Sequence, residues 1–454
     1  MKNIFYIAVA SLLLASCRIY TNYERPDALP LEGLYRDQQA PQEENFGFAP
    51  WREVFTEAPL QQLIQKALTQ NADLRSADLT VQQAEAAFKT SKLAFLPNLA
   101  LAPSGTIAKI QGFDASKTYQ LPVSASWQID AFGSLRNAKK QSEMTLYQTQ
   151  AARQAVQTSI IAAVAKLYYT LQMLDAQLAT TRETIVIWEE NVRAMKAMKE
   201  AGMTTEAAVA QAEANLIELK ASIPALGDNI RATENALCTL LHETPHAIER
   251  NAFNADGFPA TLATGVPLQL LENRPDVKAR EIQLAYAFYG VNKARSAFYP
   301  NITLTGTFGW ANNATGMVVN PAKWLAQGVA SLVQPLFQRG QLTANLKISK
   351  LQQEQALLAF EQSLLSAGEE VSNALSEYQS ALQKAELRQQ EIVSLTSARD
   401  KTKLLFNYSV GTSYLETLTA EQTLLQARLT LINDKYSKVN AAIALYQALG
   451  GGRQ

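Results

Sequence analysis

Two hydrophobic periods take turns along the chain. From Tyr119 to Asp130 the period is two: Tyr119, Leu121, Val123, Ala125, Trp127 and Ile129 alternate with Gln120, Pro122, Ser124, Ser126, Gln128 and Asp130. It returns where Ile302, Leu304, Gly306, Phe308 and Trp310 alternate with Thr303, Thr305, Thr307 and Gly309. Successive side chains of a strand point to opposite faces, so each stretch predicts a strand of about ten residues, apolar on one face and polar on the other. That is the pattern of a membrane barrel. Tyr119, Trp310 and Trp324 fall at the loop ends, and Phe298, Tyr299, Phe132 and Phe337 at the other, as two interfacial aromatic girdles would.

The second period is helical. From Leu135 to Ala201 there is no proline or glycine, and Val156, Ile160, Val164, Leu167, Leu171, Leu174 and Leu178 step by fours and threes. Gln341 to Val410 is similar, with Leu375, Tyr378, Leu382, Ile392 and Leu395 on the seam and a single Gly368. These are coiled-coil repeats, each on the order of 100 Å long at 1.5 Å per residue. Shorter helices are expected at Asp73 to Leu96, Asp276 to Phe298 and Thr205 to Leu241.

The chain is written twice. Asn71-Ala72-Asp73-Leu74 through Phe95-Leu96-Pro97-Asn98-Leu99 returns as Arg274-Pro275-Asp276-Val277 through Phe298-Tyr299-Pro300-Asn301-Ile302. Ala201-Gly202-Met203-Thr204 with Ala212-Glu213 is echoed by Val410-Gly411-Thr412-Ser413 with Ala420-Glu421. The separation stays near 200 residues, which predicts two structural halves of one subunit. Each half runs short helix, strand, loop, strand, long helix. The alternative is a soluble sandwich with the aromatics inside. Four strands in two hairpins, however, neither cover two faces of a sandwich nor close a barrel. Three copies give twelve strands, an even number as bacterial barrels require.

The ends and the composition narrow the class. Lys2 and the apolar run Ile4 to Ala15 read as an export signal, and Leu14-Ala15-Ser16-Cys17 resembles a lipobox. Cleavage after residue 16 would leave Cys17 as an acylated N-terminus, and Arg18, rather than Asp, favours the outer membrane. Cys238, the other cysteine, lies in an apolar helical stretch as a packing residue. With 41 Lys+Arg against 41 Asp+Glu, nothing points to nucleic acid. Beyond the signal, no apolar run reaches the roughly 18 residues a membrane helix needs, so any membrane crossing must be by strands. His242-Glu243-Thr244-Pro245-His246 fits the zinc-protease pattern H-E-x-x-H, but Pro245 breaks the continuous helix that chemistry needs. No cofactor and no enzymatic activity are expected.

These phrases resemble the TolC-like outer membrane factor family, in the lipoprotein branch that serves RND-type pumps (NodT/OprM-type). They are Leu270-Leu271-Glu272-Asn273-Arg274-Pro275-Asp276-Val277, Lys293-Ala294-Arg295-Ser296-Ala297-Phe298-Tyr299-Pro300-Asn301-Ile302-Thr303-Leu304-Thr305-Gly306, Ala201-Gly202-Met203-Thr204-Thr205-Glu206 and Gly411-Thr412-Ser413-Tyr414-Leu415-Glu416. The likeness covers about Pro59 to Gly450. It implies an α+β membrane protein, a homotrimer whose twelve-stranded β-barrel, four strands per subunit, continues into a long α-helical barrel. Residues 1–16 would be the signal, 17–56 a lipid-anchored belt segment, 57–250 the first efflux repeat and 251–454 the second with a C-terminal belt segment. It further implies that Gly202 and Gly411 mark the periplasmic tip turns where an adaptor (membrane fusion) protein docks, and that Glu416 forms an acidic gate ring. Thr419 and Ala208 stand where the family often has further acids, so one ring is expected. The partners implied are outer membrane lipid, the adaptor and an inner membrane RND transporter, with the chain as passive conduit. A type I protein-secretion duct and a non-conducting coiled-coil lipoprotein are the competing readings.

Overall fold

The computed structural model describes residues 20–27, 29, 33–36, 45–258, 262, 264, 273–311, 324–408 and 414–453. After helices Trp51–Val54 (α1) and Ala58–Gln70 (α2), the elements run in two rounds. The first is Ala72–Leu93 (α3), strands Asn98–Leu101 (β1), Ser104–Ala108 (β2) and Ser116–Ile129 (β3), then Ser134–Glu200 (α4) and Glu206–Leu240 (α5). The second is Pro275–Ser296 (α6), Asn301–Ala311 (β4), Leu325–Val333 (β5), Gln341–Asn407 (α7) and Tyr414–Ala448 (α8). Corresponding helices have equal lengths: 22 residues in α3 and α6, 67 in α4 and α7, 35 in α5 and α8. Helices α3 and α6 stop a few residues short of the expected ends, because Pro97 and Pro300 disfavour helix in the residues before them.

The chain forms two compact units, the first comprising Met1–Leu29, Leu79–Ala151 and Ala279–Gln362. It holds one antiparallel sheet in the order β1-β3-β4-β5, with β2 also on β3. Strands β1 and β2 are one lane in two pieces. Leu101 faces Val123 and Ser104 faces Gln120, so the register carries through Pro103, whose missing N–H interrupts the ladder. The sheet therefore has four lanes, as the sequence predicts. Its apolar side chains fall on one face in register: Val123 opposite Phe308, Trp127 opposite Leu304, Ile302 opposite Leu332. That face is open, with Leu99 68% and Leu101 63% exposed. Among the described residues, the β1/β2 lane and β5 each have one neighbouring strand, leaving two edges.

The second unit comprises Pro30–Asp78, Ala152–Lys278 and Ser363–Gln454. On α4 the expected seam is buried at Ile160, Val164, Leu171 and Leu174. On α7 Tyr378 of the expected seam is buried, with Phe360, Leu364, Ala367, Val371, Ala374 and Ala381, while the expected Leu375 and Leu382 lie half-buried one residue beyond Ala374 and Ala381. Small alanines allow close packing there and carry a weak pattern signal. Helix α5 contains Pro224, which the sequence reading passed over.

Short and medium helices meet through hydrogen bonds. Asn71 caps α3 by accepting from Asp73 N (2.9 Å) and donates to Leu240 O at the end of α5 (2.8 Å). Its counterpart Arg274, buried before α6, donates to Ala448 O at the end of α8 (3.3 Å) and binds Asp276 and Glu370. An aromatic cluster ties distant parts of this unit together: Tyr446 packs on Phe46 and Phe55, and Phe55 on Phe258.

Candidate functional site

Two places carry the expected function: the tip turn in the second unit and the sheet in the first. At the tip, α4 ends in a reversal that needs a positive φ. Gly202 supplies it at +72°, and the turn closes through Gly202 N to Lys199 O (2.9 Å) and Met203 N to Met198 O (2.8 Å). Thr205 then caps α5, accepting from Ala208 N at 3.2 Å. Met203 at the turn is 67% exposed.

The two helices are tied on both sides. Lys196 pairs with Glu213 and Lys220 with Glu189, both at 2.6 Å, and Lys199 pairs with Glu206. The Lys220 hydrogen bond and its attraction hold the Glu189 carboxyl below its ordinary range. Inside, Trp188, Val192 and Met195 of α4 pack with Val209, Ala212 and Leu216 of α5 and with Leu418 of α8.

Glu416 lies in the first turn of α8 and is exposed, while its neighbours Thr417 and Leu418 are buried. Thr419 is exposed, and Ala208 packs against the tip core. Gly411 and Cys17 lie outside the described residues. Sequence reasoning missed Glu421, five positions beyond Glu416 and only 5% exposed. Burial raises its carboxyl above the ordinary value, a shift opposed by Arg399, Lys403 and Arg428. The repeat held the signal, since its counterpart Glu213 is the residue that pairs with Lys196.

The H-E-x-x-H stretch does not form the continuous helix that the zinc-protease pattern needs. Helix α5 ends at Leu240, and His242 takes a left-handed φ of 58° to close it, with Glu243 N bonded to Cys238 O at 2.9 Å. His246 Nδ1 lies 3.0 Å from Thr244 O and 3.5 Å from Cys238 Sγ. Among the described residues, no group of three or more His, Cys, Asp or Glu is placed to hold a metal ion, and no helix is long and apolar enough to cross a membrane.

At the sheet's helix end, Phe132 stacks on Tyr299 with centroids 5.1 Å apart, and Phe337 is 84% exposed. At the other end, Trp324 packs on Phe308 at 5.9 Å, and Trp310 sits opposite Leu121. Both groups fall where the two girdles were expected.

A sheet of this pattern beside helices of this length defines the class, and the comparisons identify the family. The outer membrane efflux protein family model matches residues 63–242 and again 266–451, and the chain belongs to that family. It is an outer membrane efflux channel. It is 29% identical to the cation efflux system protein CusC of Escherichia coli K12 over 448 residues, 97% of this chain and 98% of CusC. A solved CusC structure superposes with a TM-score of 0.86 at 27% identity, covering 95% of this chain and 99% of that one. The probable outer membrane lipoprotein SilC of Salmonella typhimurium is 29% identical, over 97% of this chain and 96% of SilC. The probable efflux pump outer membrane protein TtgC of Pseudomonas putida is 28% identical, over 99% and 96%.

Proposed function

We propose that the chain is a lipid-anchored subunit of a homotrimeric conduit that carries small molecules across the periplasm and outer membrane. It has no catalytic role. An inner membrane RND transporter drives export, and a periplasmic adaptor docks at the tip turns around Gly202 and Gly411. The observation that supports the trimer is the sheet: four lanes, an apolar face left open, and two edges without strand partners among the described residues. Bare edges in a bilayer leave unsatisfied N–H and C=O groups, each costing several kcal/mol, so the sheet must close with other copies. Three copies close a twelve-stranded barrel, with each β5 edge beside the β1/β2 edge of the next subunit. Residues 1–16 are the signal and 17–56 the anchored belt segment, with repeats at 57–250 and 251–454.

The anchor on Cys17 rests on the lipobox Leu14-Ala15-Ser16-Cys17. Tyr20 lies against Gly133, beside the helix end of β3, so closely that a Cβ on Gly133 would stand 2.8 Å from its ring. SilC is itself named a lipoprotein.

Glu416 is the gate residue in this reading. Three copies converging on the axis repel one another, raise one another's pKa and attract cations. The cargo is not encoded in any single residue: CusC is named for cations, TtgC for an efflux pump, and both are similar to this chain. Native mass spectrometry of the detergent-solubilised protein tests the assembly. A mass of three acylated chains is expected, and a stable monomer overturns the closed barrel.

A further inference from the structure

Charge is unevenly divided between the two units. Residues 79–151 and 279–362 of the sheet-bearing unit hold 14 Lys+Arg against 7 Asp+Glu, although the whole chain is balanced at 41 and 41. The excess concentrates where helices meet the base of the sheet. Helix α4 begins with Arg136 and Lys139, and α6 ends with Lys293 and Arg295. Helix α7 carries Lys347 and Lys350 one turn apart in its first turns. Asp130, just before α4, and Glu143, in its first turns, engage Arg136 (3.6 Å) and Lys140 (2.8 Å). Lys293, Arg295, Lys347 and Lys350 are exposed and have no carboxylate partner among the described residues.

This basic zone adjoins membrane-seeking surface. Leu336 is 93% and Phe337 84% exposed, two residues before the exposed Arg339. A cavity of about 390 Å³ opens at the same level, lined by Gln128, Asp130, Ser134, Tyr299, Asn301 and Gln338 among others. Beside the Asp130 carboxylate, which Arg136 pairs, it offers neutral hydrogen-bonding groups that suit the glycerol and ester region of a lipid.

We infer that this zone is a binding collar for anionic phospholipid headgroups in the leaflet facing the helices. The inference rests on the membrane-barrel reading above. Cations in a ring just outside an apolar band meet lipid phosphates at the depth where those phosphates lie, and each adds to the attraction. Tripling the chain triples the collar. Neutral headgroups make only the hydrogen bonds of the cavity, so the collar sorts lipids by charge.

The test uses full-length protein purified in detergent and offered equal amounts of dioleoyl-phosphatidylglycerol and dioleoyl-phosphatidylcholine, with the retained lipid quantified. Wild type should enrich phosphatidylglycerol about threefold or more, and the enrichment should shrink as salt rises from about 0.05 to 0.5 M. A variant carrying Lys139→Gln, Lys293→Gln, Arg295→Gln and Lys347→Gln should lose it. A control carrying Lys166→Gln, Lys384→Gln, Lys401→Gln and Lys435→Gln, all in the other unit, should keep it. Equal retention of both lipids by wild type, or enrichment that survives in the first variant, overturns the collar. Loss of the enrichment in equimolar inorganic phosphate overturns it too, since that marks a free-anion site. Failure of wild type to insert into pure phosphatidylcholine vesicles would instead bring down the membrane reading itself.

Discussion

Gly368, the single glycine of α7, tests whether the N-terminal segment is a fixed part of the helical unit. Leu34 sits on it: a Cβ built at Gly368 would lie 2.4 Å from Leu34 Cγ, 2.7 Å from Cδ1 and 2.8 Å from the Leu34 carbonyl oxygen. Beside it Tyr35 is buried, and Arg36 N donates to Ser372 Oγ at 3.1 Å. Two effects oppose each other in Gly368→Ala. Helix propensity favours alanine by about 1 kcal/mol. Overpacking costs about 1–3 kcal/mol, and here the upper end applies, because rotating the leucine side chain cannot relieve a contact with its carbonyl. The strap should therefore lose about 2 kcal/mol of docking energy, which opens it about 30-fold more often. Limited trypsin digestion after Arg36 reads that opening when reclosing outpaces cleavage. Gly227→Ala in α5 is the control, since a Cβ there meets nothing within 4 Å. Cleavage of Gly368→Ala at the wild-type rate or slower would refute the reasoning.

Three further outcomes are expected. His242→Gly should stabilise the end of α5 by about 1 kcal/mol, because glycine takes the left-handed conformation without a Cβ penalty. Amide exchange in its last turn should slow about fivefold, and faster exchange counts against the assignment. Glu421 has its pKa raised by burial, so its contribution to stability is greatest below the ordinary glutamate value of 4.5 and is lost as pH rises through the folded value. Glu421→Gln should thus stabilise the tip at neutral pH, with the advantage fading below that ordinary value; a constant advantage at every pH would contradict the burial argument. Leu418→Ala removes the α8 side chain from the Trp188 and Met195 cluster, at about 2–5 kcal/mol, and should speed proteolysis near Met203. Unchanged proteolysis would mean that α8 does not brace the turn.

The strands were the most legible part of the fold because a membrane sheet sorts residues by face with a period of two, and nothing else in the chain does. The equal helix lengths follow from the repeat. Less legible was part of the α7 seam: Tyr378 is buried as expected, but Ala374 and Ala381 are buried in place of the larger Leu375 and Leu382 beside them. Pro103 and Pro224 were passed over because neither ends its element: one leaves the strand register intact, the other sits within a 35-residue helix. At the tip, Gly202 was legible as a turn because its φ demands glycine. The difference between exposed Glu416 and buried Glu421 was not, since it depends on which face of α8 meets the other helices. The seat of Leu34 on Gly368 joins residues 334 positions apart, beyond the reach of any local pattern.

We propose that copies of this chain enclose a pore closed at its tip by the Glu416 side chains. Single-channel recording in a planar bilayer, on wild type and on Glu416→Ala, measures it most directly. Wild type should show small, brief openings that divalent cations block, and Glu416→Ala should conduct more in the closed state with weaker divalent block. If Glu416→Ala matches wild type in both respects, Glu416 is not the gate. The absence of any conductance from either protein, inserted and trimeric, would contradict the conduit itself.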